Sequence, residues 1–260
     1  MPSWLAKKLT EGGQVCTDGV IPDLVWLAER NSSISYTYFC NSCVQHVSKL
    51  RHEGGFCGYR NIQCLISYII SMSSSGCETF GNELPSVFQI QDLIERAWEM
   101  GFNPHGRLET GGIRGTRKYI GTPEAQALFN SISVPCSVKA CRGTKDGKPY
   151  RKLLKEIEAY FEQSTGTDKR TKIRATNLPP IYLQHQGHSL TVVGFAKDLE
   201  HRSCLYVLDP SMRNPQAIKK YRRSHPLGND ENKMASILGV YRRGEDYLSK
   251  HDNFELLFLQ

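Results

Sequence analysis

Residues 53–70, EGGFCGYRNIQCLISYII, hold the reading on which the fold turns. Two glycines and an aromatic lead into Cys57, and a third glycine follows. From Ile62 to Met72 the apolar positions then run as they would in a buried helix, interrupted by Gln63, Ser67 and Ser71. A helix that starts near Cys57 puts the sulfur where unpaired backbone N–H groups and the positive end of the helix dipole favour a thiolate. That lowers the thiol pKa and makes a nucleophile. Gly54, Gly55 and Gly58 let the backbone turn tightly and keep bulk away from a substrate chain passing the thiol. The stretch alone fits equally a small buried cysteine beside a glycine turn, since cysteine is among the residues most often buried.

A nucleophilic cysteine needs a base and a group that orients the base. Both are found in YLQHQGHSLTVVGFAKDLEHRSCLYVLDPS, where a strand from Ser189 to Phe195 is followed by a polar connection and a second strand from Cys204 to Leu208. Folded as an antiparallel hairpin about that connection, residues whose numbers sum to about 397 face each other. His188 then faces Asp209, within the roughly 4.5–5.5 Å Cβ spacing that lets an imidazole N–H reach a carboxylate. Asp209 would fix the tautomer of His188 and stabilise the imidazolium formed when His188 takes the Cys57 proton. Taken singly, His188 reads as a satisfied core histidine and Asp209 in DPS as a turn cap. Together with Cys57 they form a pattern of the cysteine-nucleophile type.

The chain has 260 residues, 39% hydrophobic and 23% charged, the composition of an ordinary globular protein with a substantial core. The first residues, MPSWLAKKLT, lack the apolar stretch of a secretory signal, and the nine cysteines are an odd number. A reducing home with free thiols is expected, cytoplasmic first and nuclear second. No apolar run approaches the roughly 18 residues of a membrane span, so no membrane partner is expected. The net charge of +7 admits nucleic acid, but the basic stretches KKYRRSHP and YRRGED lie near Asp230, Glu231, Glu245 and Asp246 and read as a solvated face. Cys40, Cys43, His46 and His52 are spaced too closely for an ordinary zinc finger and read as core or surface residues rather than metal ligands. GHSLT lacks the second glycine of a nucleophile elbow, and no Walker or dinucleotide fingerprint occurs.

No repeat or low-complexity linker divides the chain, so one domain over 1–260 is expected, with 1–37 as an extension able to join the substrate surface. Helices are expected after Pro85 up to Gly101, in TPEAQALFNSI with a Thr cap, and in YRKLLKEIEAYFEQ. SVPCSVKA, PIYLQHQ, SLTVVGFA, CLYVLD, SILGVY and FELLFL read as strands. Helices early and strands mostly late favour an α+β layer arrangement, with a mostly antiparallel sheet packed on helices.

FCGYRNIQCLIS, MGFNPHG, GTRKYIGTPEAQ, PPIYLQHQGHSLTVVGF and CLYVLDPS together resemble the papain-like peptidases that act on ubiquitin and on the ubiquitin-fold modifier. The resemblance runs from about Tyr38 to about Tyr241 and implies the papain-like fold, with nucleophile, base and orienting acid on Cys57, His188 and Asp209. Peptidases of the modifier carry an Asp-Pro-His box whose histidine is the base. This chain has LDPS, with Ser211 at that position, and GHSLTVVG supplies His188 as in the deubiquitinase branch. Larger members of that branch carry zinc fingers and ubiquitin-binding helices, for which the 56 residues before Cys57 leave little room.

The resemblance therefore implies a thiol isopeptidase that cleaves after the C-terminal glycine of ubiquitin or polyubiquitin. A monomer is expected, and the chemistry calls for no cofactor or metal. Gln184, four residues before His188, is the candidate side-chain donor to the oxyanion. Glu124 is expected to meet an arginine of the ubiquitin tail, and Asn103, Tyr59 and Gly187 are assigned to the substrate channel; Asn103 stands where the branch has an acid. The alternatives are a peptidase of the ubiquitin-fold modifier and a non-catalytic module that binds ubiquitin or nucleic acid.

Overall fold

HSLTVVGFAKD, His188–Asp198, centred on Thr191, Val192, Val193 and Phe195, forms the longest strand among the described residues. The structure is a computed structural model that describes all residues except 12, 144–146, 165–167, 213–215 and 227–229. In chain order the elements are α1 (Ser3–Thr10), β1 (Val15–Thr17), α2 (Val20–Arg30), β2 (Ile34–Phe39), β3 (His46–Ser48), α3 (Cys57–Ser71), α4 (Val87–Glu99), α5 (His105–Thr110) and α6 (Thr122–Ser131). There follow β4 (Cys136–Arg142), α7 (Pro149–Glu162), β5 (Ile173–Ala175), β6 (Ile181–His185), β7 (His188–Asp198), β8 (Ser203–Leu208), α8 (Ala217–Ser224), α9 (Glu231–Tyr241), β9 (Arg242–Gly244), α10 (Glu245–Leu248) and β10 (Asn253–Leu259).

The main sheet runs β4-β10-β6-β7-β2-β5, with β8 on β7 and β9 on β8. Its pairings are antiparallel except β2 with β5. One edge of β7 is shared, His188–Val192 pairing with β6 and Gly194–Asp198 with β2, while β8 takes Thr191–Lys197. The helix α3 lies on β7 and β6 and is buried from Cys57 to Ile69, so both the nucleophile candidate and its helix belong to the core. The segment before β2 contributes to the same core: Leu5, Leu9, Val20, Ile21, Leu24 and Leu27 all lie in it. This is the α+β arrangement expected, a mostly antiparallel sheet with helices packed on it.

Three local expectations are corrected. SILGVY is helical, not a strand: it lies in α9, whose N-cap Asp230 accepts from the Lys233 N–H and whose buried Met234, Leu238 and Tyr241 follow helical spacing. Thr122 is the first residue of α6 rather than its cap; Glu124 instead accepts from the Gly121 N–H at 2.8 Å, while the Thr122 hydroxyl is buried. The β7–β8 pairing has numbers summing to 399 and, beyond a bulge at Val193, to 400, not 397, as in Thr191↔Leu208 and Phe195↔Leu205. Continued one residue, that register sets Asp209 against Leu190. His188 is two residues away on the same face of the strand, a diagonal neighbour still within reach of long side chains.

Candidate active site

The helix α3 begins at Cys57 after Phe56, whose apolar side chain cannot cap it, so the first backbone N–H groups project unpaired beside the sulfur. Gly54 has φ of +83°, a left-handed conformation that a glycine adopts without strain. A Cβ on Gly58 would lie 2.7 Å from the Ile120 side chain and 2.8 Å from its carbonyl oxygen. The space beside Gly54, Gly55 and Gly58 is filled by Arg117, Tyr119 and Ile120. The glycines thus admit the chain's own 117–121 segment, not a passing substrate as their spacing suggested.

Cys57 is held against β7 by Asn61, one turn along α3. The Asn61 Nδ2 donates to the Cys57 carbonyl and to Ser189 Oγ, both at 2.9 Å, and Asn61 Oδ1 accepts from the Thr191 hydroxyl at 2.8 Å. These bonds satisfy a fully buried amide and fix the helix against the strand that carries His188. His188 Nε2 is 2.9 Å from Asp209 Oδ1, which leaves Nδ1 for the thiol. Asp209 Oδ1 also accepts from the Ser211 N–H at 2.9 Å, so the turn-capping and orienting roles coexist in one carboxylate.

Burial raises the Cys57 thiol, but hydrogen bonds with His188 and Ser189 more than offset it and bring it down to about 7. Burial lowers His188, yet its bonds to Asp209 and Cys57 lift it to about 9. Burial likewise raises Asp209, against which His188, the Ser211 N–H and Arg243 hold the carboxyl well below the usual range. The combination favours thiolate, imidazolium and carboxylate in a row, with Cys57 only 4% exposed. Such a row can attack a carbonyl and protonate a leaving amine.

Gln184 sits on β6 directly across from Ser189, and its Oε1 accepts from the Tyr182 hydroxyl at 3.2 Å. That hydroxyl would lie 3.2 Å from a Cβ on Gly58, which places the Tyr182–Gln184 pair at the start of α3. Gly187, with φ of +76°, forms with Gln186 the two-residue turn joining β6 to β7 and faces open space. Glu124 Oε2 caps Gly121, and Oε1 would be 3.0 Å from a Cβ on Gly106; burial raises this carboxyl. Asn103 lies in the turn before α5, at φ of +50°. Tyr59 is a correction: its ring is fully buried, edge-on to Phe56 at 5.2 Å, and offers no surface to a substrate. The helical spacing of α3 turns it inward with Ile62 and Ile66.

Of the closely spaced Cys40, Cys43, His46 and His52, His46 is buried, pushed down to about 4 by desolvation, and its Nε2 meets the Asp209 carbonyl at 3.0 Å. Cys40 is buried and Cys43 half-buried, and among the described residues no group of three or more His, Cys, Asp or Glu is placed to hold a metal.

Four residues around the site escaped the sequence reading: Asn61, Tyr182, His46 and Arg243. Arg243 Nη2 is 2.8 Å from Asp209 Oδ2, with the two side chains 15% and 16% exposed. The stretch YRRGED is therefore not a solvated face at this position. A charge run gives no signal for such a contact, since only the β8–β9 pairing brings Arg243 opposite Leu205 and near the end of β8.

Residues 33–257 match the profile of Peptidase family C78. The chain is 31% identical over 245 residues to zinc finger-containing ubiquitin peptidase 1 of Homo sapiens, covering 88% of this chain and 42% of that protein, and it matches the Mus musculus protein equally. It is also 31% identical over 171 residues to ubiquitin carboxyl-terminal hydrolase mug105 of Schizosaccharomyces pombe, covering 65% of this chain and 64% of the relative. The chain thus spans less than half the length of the zinc finger-containing relatives. Among solved structures, that of UfSP from C. elegans superposes with a TM-score of 0.53 at 14% identity over 95% of this chain and 37% of that one, a likeness of fold. The chain belongs to peptidase family C78 and is a cysteine peptidase with the papain-like fold.

Proposed function

We propose that the chain is a deubiquitinase, a thiol isopeptidase that cleaves after the C-terminal glycine of ubiquitin in chains or conjugates. The observation that carries this reading is the 2.9 Å bond from His188 to Asp209, made from the strand preceding the LDPS turn. Ser211, where a modifier peptidase would carry its base, contributes only a backbone N–H to the same carboxylate. The names of the relatives in man and fission yeast point the same way.

In the proposed reaction the Cys57 thiolate adds to the carbonyl of the terminal glycine, and the oxyanion is met by the Cys57 N–H at the helix start. Gln184 is the proposed second donor: its Oε1 takes the Tyr182 hydroxyl and one Nε2 hydrogen goes to the His185 carbonyl at 3.4 Å, which leaves the other N–H for the oxyanion. Collapse of the adduct breaks the C–N bond as His188 gives its Nδ1 proton to the leaving amine, which leaves a thioester on Cys57. Water then attacks the thioester, His188 takes its proton, and the thiolate is released. Asp209 holds His188 throughout. Glu124, at the start of α6 beside Gly121, is the proposed partner of an arginine in the tail.

Two C-terminal electrophiles, one built on ubiquitin and one on the ubiquitin-fold modifier, test the reading. Covalent labelling by the ubiquitin reagent that disappears in Cys57→Ala is expected. Labelling by the modifier reagent alone would transfer the chain to the other substrate class, and binding of ubiquitin without labelling would make it a non-catalytic reader.

A further inference from the structure

A carboxylate that steers a histidine has two oxygens and a soft terminal torsion, so a single hydrogen bond leaves its orientation free. Asp209 is gripped on both sides: Oδ1 takes His188 and the Ser211 N–H, and Oδ2 takes Arg243 at 2.8 Å. Arg243 is itself fixed. Its Nη1 donates to the carbonyls of Val240 at 3.0 Å and Arg242 at 2.9 Å, and its guanidinium lies 5.0 Å from the centre of the Tyr247 ring. The Tyr247 hydroxyl is 2.8 Å from His185 Nε2, and the His185 ring stacks on His251 at 3.8 Å and lies edge-on to His188 at 5.9 Å. The planar fork of an arginine, held at several points, is suited to this and a lysine is not.

We propose that Arg243 is a positioning residue of the reaction: it clamps Asp209 with one oxygen turned to His188, and its charge sets the pH window in which the Cys57 and His188 pair is thiolate and imidazolium. This rests on the assignment of Cys57, His188 and Asp209 made above. The titratable and charged groups around the pair are His46 on β3, Lys49 just after it, Tyr182 and His185 on β6, Asp209 after β8, Arg243 on β9, Tyr247 on α10 and His251 before β10. Burial pushes His46 and His185 down to about 4 and also lowers His251, so these rings are neutral through the working range. Lys49 sends its ammonium to the Gly54 carbonyl at 3.2 Å. Among the described residues, Arg243 is the cation that touches Asp209 besides His188 itself.

Loss of this positive charge makes the imidazolium easier to hold and the thiolate harder. Both limbs of the pH profile therefore move up in Arg243→Met, by about one unit. Turnover at the optimum falls roughly 10-fold as Asp209 loses its second anchor. Arg243→Lys keeps the charge and lacks the fork, so its limbs stay in place while turnover still falls. The readouts are the pH profile of ubiquitin cleavage and, independent of any substrate, the pH dependence of Cys57 alkylation by iodoacetamide, followed on the Cys57 peptide by mass spectrometry. Thermal unfolding checks that each variant is folded, and the lysine variant carries the test if the methionine variant is not. A folded Arg243→Met with both limbs where they were, or Arg243→Lys at full turnover, overturns the assignment and leaves the three-residue set standing. If Cys57 alkylation in the unaltered chain is that of an ordinary thiol and His188→Gln leaves it unchanged, the set fails and the role of Arg243 fails with it.

Discussion

Cys57 is almost fully buried and still acidic for a thiol, because the groups that face it are stronger than the burial that opposes them. The consequence is a bounded activity range. Below about 7 the thiolate is protonated, and above about 9 His188 has lost the proton the leaving amine needs. The two limbs belong to the coupled pair rather than to either residue. kcat/KM measured from pH 5 to 10 is expected to rise through about 7, hold, and fall through about 9. A profile still rising at pH 10 would contradict a thiolate preformed by His188. At this scale the sequence was informative where residue type and parity decide: a cysteine behind glycines, and a histidine and an aspartate on one face of a hairpin. It was silent where facing within an all-buried helix decides. Tyr59 stands two residues from Cys57 and its ring is fully buried.

Between elements, the decisive contact is the polar seam between α3 and β7. A buried helix with one asparagine facing a strand with Ser189 and Thr191 has a single register in which all the polar atoms pair, since an unpaired buried amide is costly. Asn61→Ala leaves the Thr191 hydroxyl without that partner, and urea unfolding is expected to show a loss of about 1–3 kcal/mol. A loss below about 0.5 kcal/mol, the scale of an ordinary surface change, would mean that the seam does not hold α3 in place. Element identity was legible where a pattern was long: the α4 stretch read correctly over its 13 residues, and SLTVVGFA marked the middle of β7. SILGVY was too short a window, because its helical spacing appears only when Met234 and the Asp230 cap are included. The hairpin register was missed by three next to the turn, where Lys197 pairs with Ser203, and by two past the bulge at Val193, because neither turn length nor a bulged residue leaves a mark on the alternation pattern.

For the molecule as a whole, the α+β layering could be read from helices gathered early and strands late, but the strand order could not. The strand β2, ISYTYF, lies far upstream of the strands it joins and completes the β7 edge that β6 leaves free. Its pairing depends on tertiary closure rather than local pattern. The body so formed brings Cys57 from α3, His188 from β7, Asp209 from the end of β8 and Arg243 from β9 to one place, a convergence of segments 186 residues apart in the chain, from 57 to 243. The zinc finger-containing relatives are more than twice as long as their matched part, so the activity proposed here is that of the peptidase domain alone. The most direct test is cleavage of linkage-defined ubiquitin chains by the unaltered protein beside Cys57→Ala and His188→Ala. The account predicts cleavage of at least one chain type by the unaltered protein and none by either variant; cleavage that survives Cys57→Ala, or no cleavage of any ubiquitin chain, would contradict it.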